Sequence, residues 1–200
     1  MMMEHGKKLL ITGFDPFDGE AINPSAEAVM QLPDFVGDYA ITKLEVPTVF
    51  GLAAEKVLAT AKILLPDVII CVGQAKGRHA VTPEVVAINL REATIPDNAG
   101  QQPVNVPVVP EGPAAYFSTL PIRDMVTAIK AAGIPGALSY SAGAYVCNDL
   151  MYTLLHHYRE THVRVGFIHV PALAGTAEAA VPALSLGDMV TALTAAISTL

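Results

Sequence analysis

The sequence is short of several things, beginning with cysteine. It holds two, Cys71 and Cys147, in 200 residues. Two thiols do not make a disulfide scaffold, so the fold must rest on a buried core. Charge is sparse too. Only 16% of residues are charged, 12 Lys and Arg against 19 Asp and Glu, for a net charge of -7. Basic residues nowhere cluster, which argues against a nucleic-acid partner, because phosphate binding needs a basic surface. Long hydrophobic runs are missing as well. The longest charge-free stretch, Ala131 to Asn148, carries three glycines, a proline and several hydroxyls. A membrane-spanning helix needs about 20 mostly apolar residues. The start, MMMEHGKK, has Glu4 where a secretory signal wants basic residues, and Leu9-Leu10-Ile11 is too short for its apolar region. The expectation is a cytoplasmic protein with reduced thiols and no membrane partner.

What is present is apolar bulk. Hydrophobic residues make up 52% of the chain, enough for a compact core. The length suits one domain over 1–200, with no repeat and no low-complexity linker. Strand-length apolar runs recur at Lys8–Phe14, Ala40–Val46, Val68–Val72, Val85–Leu90, Gly136–Tyr140 and Val163–Val170. Several are continuously apolar, which fits strands covered on both faces. Helical spacing appears between them, from Asn23 to about Leu32 and over Phe50–Leu65, Ile122–Ala132, Tyr145–Tyr158 and Leu186–Leu200. Alternating strands and helices predict an α/β fold with a mostly parallel sheet. Residues 93–120, rich in Pro, Gly, Asn and Gln, read as a long functional or mobile loop.

Within SYSAGAYVCNDL, a strand is expected to end near Tyr140, turn at Gly143 and enter a helix from Tyr145. Cys147 then stands in the first helical turn. Unpaired backbone N–H groups and the positive helix end favour a thiolate there and offer an oxyanion site. Simple packing is the alternative, since free cysteines are commonly buried. Cys71, inside VIICVG, reads as core. A nucleophilic thiol needs a base and a group to orient it. His5 is terminal, His79 and His162 lie in polar segments, and His156 and His157 read as a solvated helix end. His169 closes the apolar strand VGFIHVP, and sites in open α/β sheets form at such strand ends. Taken by itself it reads better as a satisfied core histidine. Glu84, at the mouth of another strand, is either the orienting acid or a solvated loop residue.

These segments together resemble the pyroglutamyl-peptidase I (pyrrolidone-carboxylate peptidase) family of cysteine peptidases. The likeness runs through ITGFDPFDGEAINPS, GQAKGRHAVTPEVVAIN with IPDNAGQQP, LSYSAGAYVCND and GFIHVP, and covers nearly the whole chain. The resemblance implies Cys147 as nucleophile, His169 as base and Glu84 as the acid that orients the imidazole. It implies a pyroglutamate pocket near Phe14, Phe17 and Gln74, with Thr48, Ile95 and Tyr145. It implies a three-layer α/β/α sandwich, often a homotetramer, that hydrolyses the amide after an amino-terminal pyroglutamyl residue. No metal or cofactor is expected. The sequence departs from the family at Lys76, where Gly is usual, at Val85, where a basic residue is usual, and at Thr94, where Arg is common.

Other motifs carry less. Asp15 and Asp18 are two carboxylates without a nearby histidine, a poor metal site, and Asp-Pro and Asp-Gly are turn chemistry. Ser139, Ser141 and Gly143 lack the first glycine of G-x-S-x-G. The glycines at Gly13 and Gly73 do not form G-x-G-x-x-G. Nucleoside phosphorolysis, known on related sandwiches, would want a phosphate site that the sequence does not display. A silent peptide-binding protein is the non-enzymatic alternative.

Overall fold

The computed structural model describes residues 6–176 and 180–200. His5 and the MMME stretch lie outside them. The elements are, in chain order, β1 (Lys7–Phe14), α1 (Pro24–Met30), β2 (Phe35–Val36), β3 (Tyr39–Val46), α2 (Leu52–Leu64), β4 (Val68–Gln74), β5 (Thr82–Pro83), β6 (Val86–Ile88), β7 (Ala115–Phe117), α3 (Ile122–Ala131), α4 (Val146–Tyr158), β8 (Arg164–Val170), β9 (Ala172–Leu173), β10 (Ala183–Leu184) and α5 (Leu186–Ile197).

A six-stranded sheet of order β2-β3-β1-β4-β8-β5 forms the middle layer. The pairs β3–β1, β1–β4 and β4–β8 are parallel, and the short outer strands β2 and β5 are antiparallel. Side chains on a strand alternate between faces, and the core divides accordingly. Leu10, Ile69, Cys71, Val165 and Phe167 pack with α2 and α4. Leu9, Ile11, Val68, Ile70, Val72, Ile168 and Val170 pack with α1, α3 and α5. Burying both faces explains why β4 and β8 read as unbroken apolar runs. The α/β/α sandwich expected from the sequence is the fold.

The departures have local causes. Gly136–Tyr140 is not a continuous strand. It runs beside Val81–Glu84 through two isolated parallel bridges, Val81 to Gly136 and Glu84 to Ser139. Pro83 stands between them and has no N–H to donate. The run Val85–Leu90 holds a strand, but one outside the central sheet. Its middle, β6, pairs antiparallel with β7 in a separate ribbon, so the expected loop over 93–120 ends in a strand. The helices are trimmed at their ends. Gly51 caps the start of α2, with the left-handed Leu65 closing it, and α1 and α5 stop at Met30 and Ile197. No helix of the described residues is long and apolar enough to cross a membrane.

Candidate active site

Parity on β8 decides where His169 points. It shares a face with Val165 and Phe167, the face covered by α4. Its register partner on β4 is Gly73. A side chain at Gly73 would meet Cys147 Sγ at 3.0 Å and the Phe167 ring at 2.8 Å. The missing side chain is therefore the space that the sulfur occupies. Cys147 and His169 thus converge over adjacent ends of two parallel strands, where open α/β sheets form their sites.

Cys147 is the second residue of α4, in the first turn as expected. The turn before it works through Gly143, whose φ of 79° is in the region that favours glycine. The side chain of the cap residue, Tyr145, makes no hydrogen bond to the N–H groups of the helix start. The N–H groups of the first turn are therefore open to an oxyanion.

Glu84 follows β5. Its N–H donates to Phe167 O at 2.9 Å, which draws the acid alongside β8. His169 Nδ1 and Glu84 Oε1 lie 2.7 Å apart. Glu84 is fully buried and His169 only 3% exposed, so neither alternative reading, solvated loop residue or isolated core histidine, describes them. Glu84 Oε2 has no hydrogen-bond partner among the described residues, although the Ser139 hydroxyl helps to lower the pKa of the group. Arg78 Nη1 donates to the same Oε1 at 2.6 Å. Sequence reasoning passed over Arg78, which was visible only as one cation in a polar loop.

The electrostatics correct one expectation. Burial, then the charge of Glu84, pushes the Cys147 thiol up to about 12, and Arg78 opposes this. Cys147 keeps some accessible surface, yet its sulfur lies against Gly73 and Phe167. Helix position alone does not make it a thiolate. Cys71, wholly buried, is also raised to about 12 by burial, as a core thiol should be. Burial raises Glu84, but the hydrogen bond and charge of His169, with Ser139 and Arg78, outweigh it and hold the carboxyl below its ordinary value. Burial lowers the His169 imidazole, and Glu84 resists. Among the described residues, Cys147 Sγ makes no hydrogen bond to the imidazole. Such contacts commonly lengthen without substrate and tighten in the reacting complex.

The six pocket candidates gather at the same end of the sheet. Phe14 ends β1 and is 2% exposed, its ring 6.2 Å from that of Phe167. It is a core ring, not an open face. Phe17 is half-buried, with its ring 6.2 Å from that of Tyr145. Thr48 is buried, its N–H and hydroxyl both committed to Asp15. Gln74 ends β4 with its side chain half-buried. Ile95 precedes Pro96, whose carbonyl accepts from Tyr145 Oη at 3.1 Å. Tyr145 also meets Phe50 edge-on at 5.3 Å. Two further carboxylates, absent from the sequence reading, pin these loops. Asp97 accepts from Phe50, Ala99 and Gln101 N–H groups. Buried Asp149 accepts from Gly51 N–H and pairs with Arg91 at 2.6 Å.

Lys76 and His156 also find partners near these loops and helices. Lys76 pairs with Glu20 at 3.0 Å, joining the loops after Phe17 and Gln74. His157 is exposed, as a helix-end residue should be, whereas His156 is half-buried, with its Nδ1 2.8 Å from Tyr116 Oη and its ring stacked on Tyr152. Among the described residues, no group of three or more His, Cys, Asp or Glu is arranged to hold a metal.

Comparisons with known proteins give the family of the chain. The family model for pyroglutamyl peptidase matches residues 7–200. The chain is 56% identical to the pyrrolidone-carboxylate peptidase of Enterococcus faecalis over 83% of its length and 79% of the relative's. It is 52% identical to that of Levilactobacillus brevis over 95% of both. The crystal structure of pyroglutamyl peptidase I from Bacillus amyloliquefaciens superposes with a TM-score of 0.93 at 49% identity, over 96% of each chain. With a nearly full-length match in sequence and fold, the chain belongs to the pyroglutamyl peptidase family.

Proposed function

We propose that Cys147, His169 and Glu84 carry the reaction of this cysteine peptidase, which hydrolyses the amide after an amino-terminal pyroglutamyl residue. The observation that carries the assignment is the buried Glu84–His169 pair at 2.7 Å, set beside a sulfur that fills the space over Gly73. The resting thiol is neutral, so its proton passes to His169 as Sγ attacks the carbonyl carbon. First-turn N–H groups of α4 stabilise the oxyanion, an effect worth several kcal/mol in comparable sites. The imidazolium then gives its proton to the leaving amine, and the thioester is left on Cys147. Neutral His169 next takes a proton from water, whose oxygen attacks the thioester. Collapse returns the thiol and releases pyroglutamate. Glu84 holds the imidazole in one tautomer and supports its charge. This chemistry asks for no metal, so chelators should leave it intact.

The pocket for the lactam is read as Phe14, Phe17, Thr48, Gln74, Ile95 and Tyr145, supported by their convergence at the carboxyl end of the sheet. One catalytic domain over 1–200, a cytoplasmic location and a homotetramer complete the reading. The family match over 7–200 supports the first. Sedimentation velocity tests the tetramer.

The deciding assay is release of aminomethylcoumarin from its pyroglutamyl amide. Turnover should vanish after thiol alkylation and in Cys147→Ala. Cys71→Ala should keep most activity per folded molecule, because its thiol is packing. Reversed phenotypes would reverse the assignment of the two cysteines. No observation favours nucleoside phosphorolysis or silent peptide binding.

A further inference from the structure

Arg78 is the charged residue beside the site for which the steps above have no use. It lies between β4 and β5, where its N–H returns to Ala75 O at 3.2 Å. Nη1 donates to Glu84 Oε1 at 2.6 Å and to Thr82 Oγ1 at 2.5 Å, and Nη2 donates to Ser141 O at 3.0 Å. One guanidinium therefore ties the buried acid to the turn that leads into α4 and Cys147. His169 Nδ1 shares the same carboxylate oxygen. An oxygen with two lone pairs can accept from both.

The two donors are not equivalent. A fully buried carboxylate needs a counter-charge whenever it is ionised. His169 is cationic for only part of the reaction cycle. Arginine is cationic throughout. When the imidazole is neutral, Arg78 is the standing partner of Glu84.

We propose that Arg78 is a positioning residue for the reaction, keeping Glu84 ionised while His169 is neutral and holding Glu84 in register with the Ser141 turn. This rests on the reading of Cys147, His169 and Glu84 given above. The groups that act on the imidazole are Glu84 and Arg78. Those that act on the thiol are Glu84, Cys71 and Arg78. Arg78 lowers both proton affinities, so its removal moves both up. A purely structural strut would leave them alone. The side chain is 28% exposed, and a shallow, open depression of about 480 Å³, lined in part by Arg78, Thr82, Ser139 and Ser141, lies beside it. A small cation can therefore reach the place of a truncated side chain.

The test compares Arg78→Ala, Arg78→Gln, Arg78→Lys and Cys147→Ala with the unmodified protein, using the pyroglutamyl coumarin amide. Thermal melting checks the fold, and iodoacetamide alkylation against pH reads the thiol. Arg78→Ala and Arg78→Gln should lower kcat roughly 10- to 100-fold, with KM changed less than about threefold. The alkylation midpoint should move to higher pH. Dilute guanidinium should restore part of kcat in Arg78→Ala. Arg78→Lys keeps the charge but loses the fork, so its kcat should fall between. Unchanged kcat and alkylation profile in a folded Arg78→Gln would overturn the proposal. If the first two variants do not fold, Arg78→Lys decides: reduced kcat at an unchanged melting temperature supports it, and full kcat overturns it. Turnover by Cys147→Ala would defeat the triad and this proposal together. An inactive Cys147→Ala beside a fully active Arg78→Gln defeats this proposal alone.

Discussion

A thiol at a helix start ionises readily only where the field of the helix outweighs the cost of burying the charge. At Cys147 it does not. Burial and the carboxylate of Glu84 both raise the thiol, to about 12. The acid is nevertheless useful, because what it costs the thiolate it returns to the imidazolium through the 2.7 Å contact. This opposition gives a prediction with a sign. In Glu84→Gln the negative charge is gone, so the thiol pKa falls, and the support that raised His169 is lost too. Alkylation of Cys147, followed in a Cys71→Ala background, should therefore shift to lower pH. Turnover should drop on the order of 10²- to 10⁴-fold, because an amide cannot support the imidazolium. A more reactive thiol in a less active enzyme separates orientation and charge support from simple nucleophile activation. If alkylation shifted to higher pH, the electrostatic account of the pair would be wrong.

At the scale of elements, legibility follows length and periodicity. β1, β4 and β8 were plain as apolar runs because both faces are buried. The start of α4 was plain because Gly143 and the spacing of Val146, Leu150 and Leu154 mark it. β5 was not legible, since two residues, Thr82 and Pro83, carry no period. Yet β5 delivers Glu84 to His169. β6 was read within Val85–Leu90, but its partner β7 lies far off in a segment read as loop, so their ribbon was missed. His156 was misread because its partner Tyr116 comes from that unseen ribbon. Local patterns thus reveal the scaffold, whereas the pairing of Arg78 with Glu84 and of Arg91 with Asp149 depends on tertiary approach. Gly73 joins the two levels. It reads as an ordinary strand-end glycine, but the packing of α4 on β4 requires it. Gly73→Ala would put a methyl 3.0 Å from Cys147 Sγ and 2.8 Å from the Phe167 ring. Something must shift, and overpacking of this kind costs about 1–3 kcal/mol. The protein should still fold, with a lower melting temperature, while kcat falls by at least about tenfold because the nucleophile is displaced. Retention of wild-type kcat would show that the sulfur reacts from elsewhere.

The pocket belongs to the whole molecule. Its candidate residues come from the end of β1, the loops beyond it and beyond β3, the end of β4, the loop at Ile95 and the cap of α4. Hydrogen bonds from Asn98 to Asp15 and Pro16, from Thr48 to Asp15 and from Tyr145 to Pro96 lock those loops together. Such a pocket is preorganised, and preorganised polar groups discriminate by what a wrong ligand leaves unpaired. Pyroglutamate is a neutral five-membered lactam with one ring N–H and one ring C=O. Phe17 and Tyr145 are the half-buried rings available to cover it, whereas Phe14 is a core ring. In the proposed reading, backbone and side-chain groups near Gln74 pair with its polar edge. Amino-terminal proline has the same ring size but no ring carbonyl, and its nitrogen is charged. Binding it would strand a donor and desolvate a cation. Uncyclised glutamine is charged as well, and longer. The expected order of kcat/KM for one series of dipeptide amides is pyroglutamyl far above prolyl and glutaminyl. The gap should be roughly 10⁴-fold or more, the range for sites that read a hydrogen-bonding edge. A gap below about 100-fold, the range for a pocket reading only apolar shape, would mean that the aromatic walls alone select the ring. The lactam edge would then have no part in recognition.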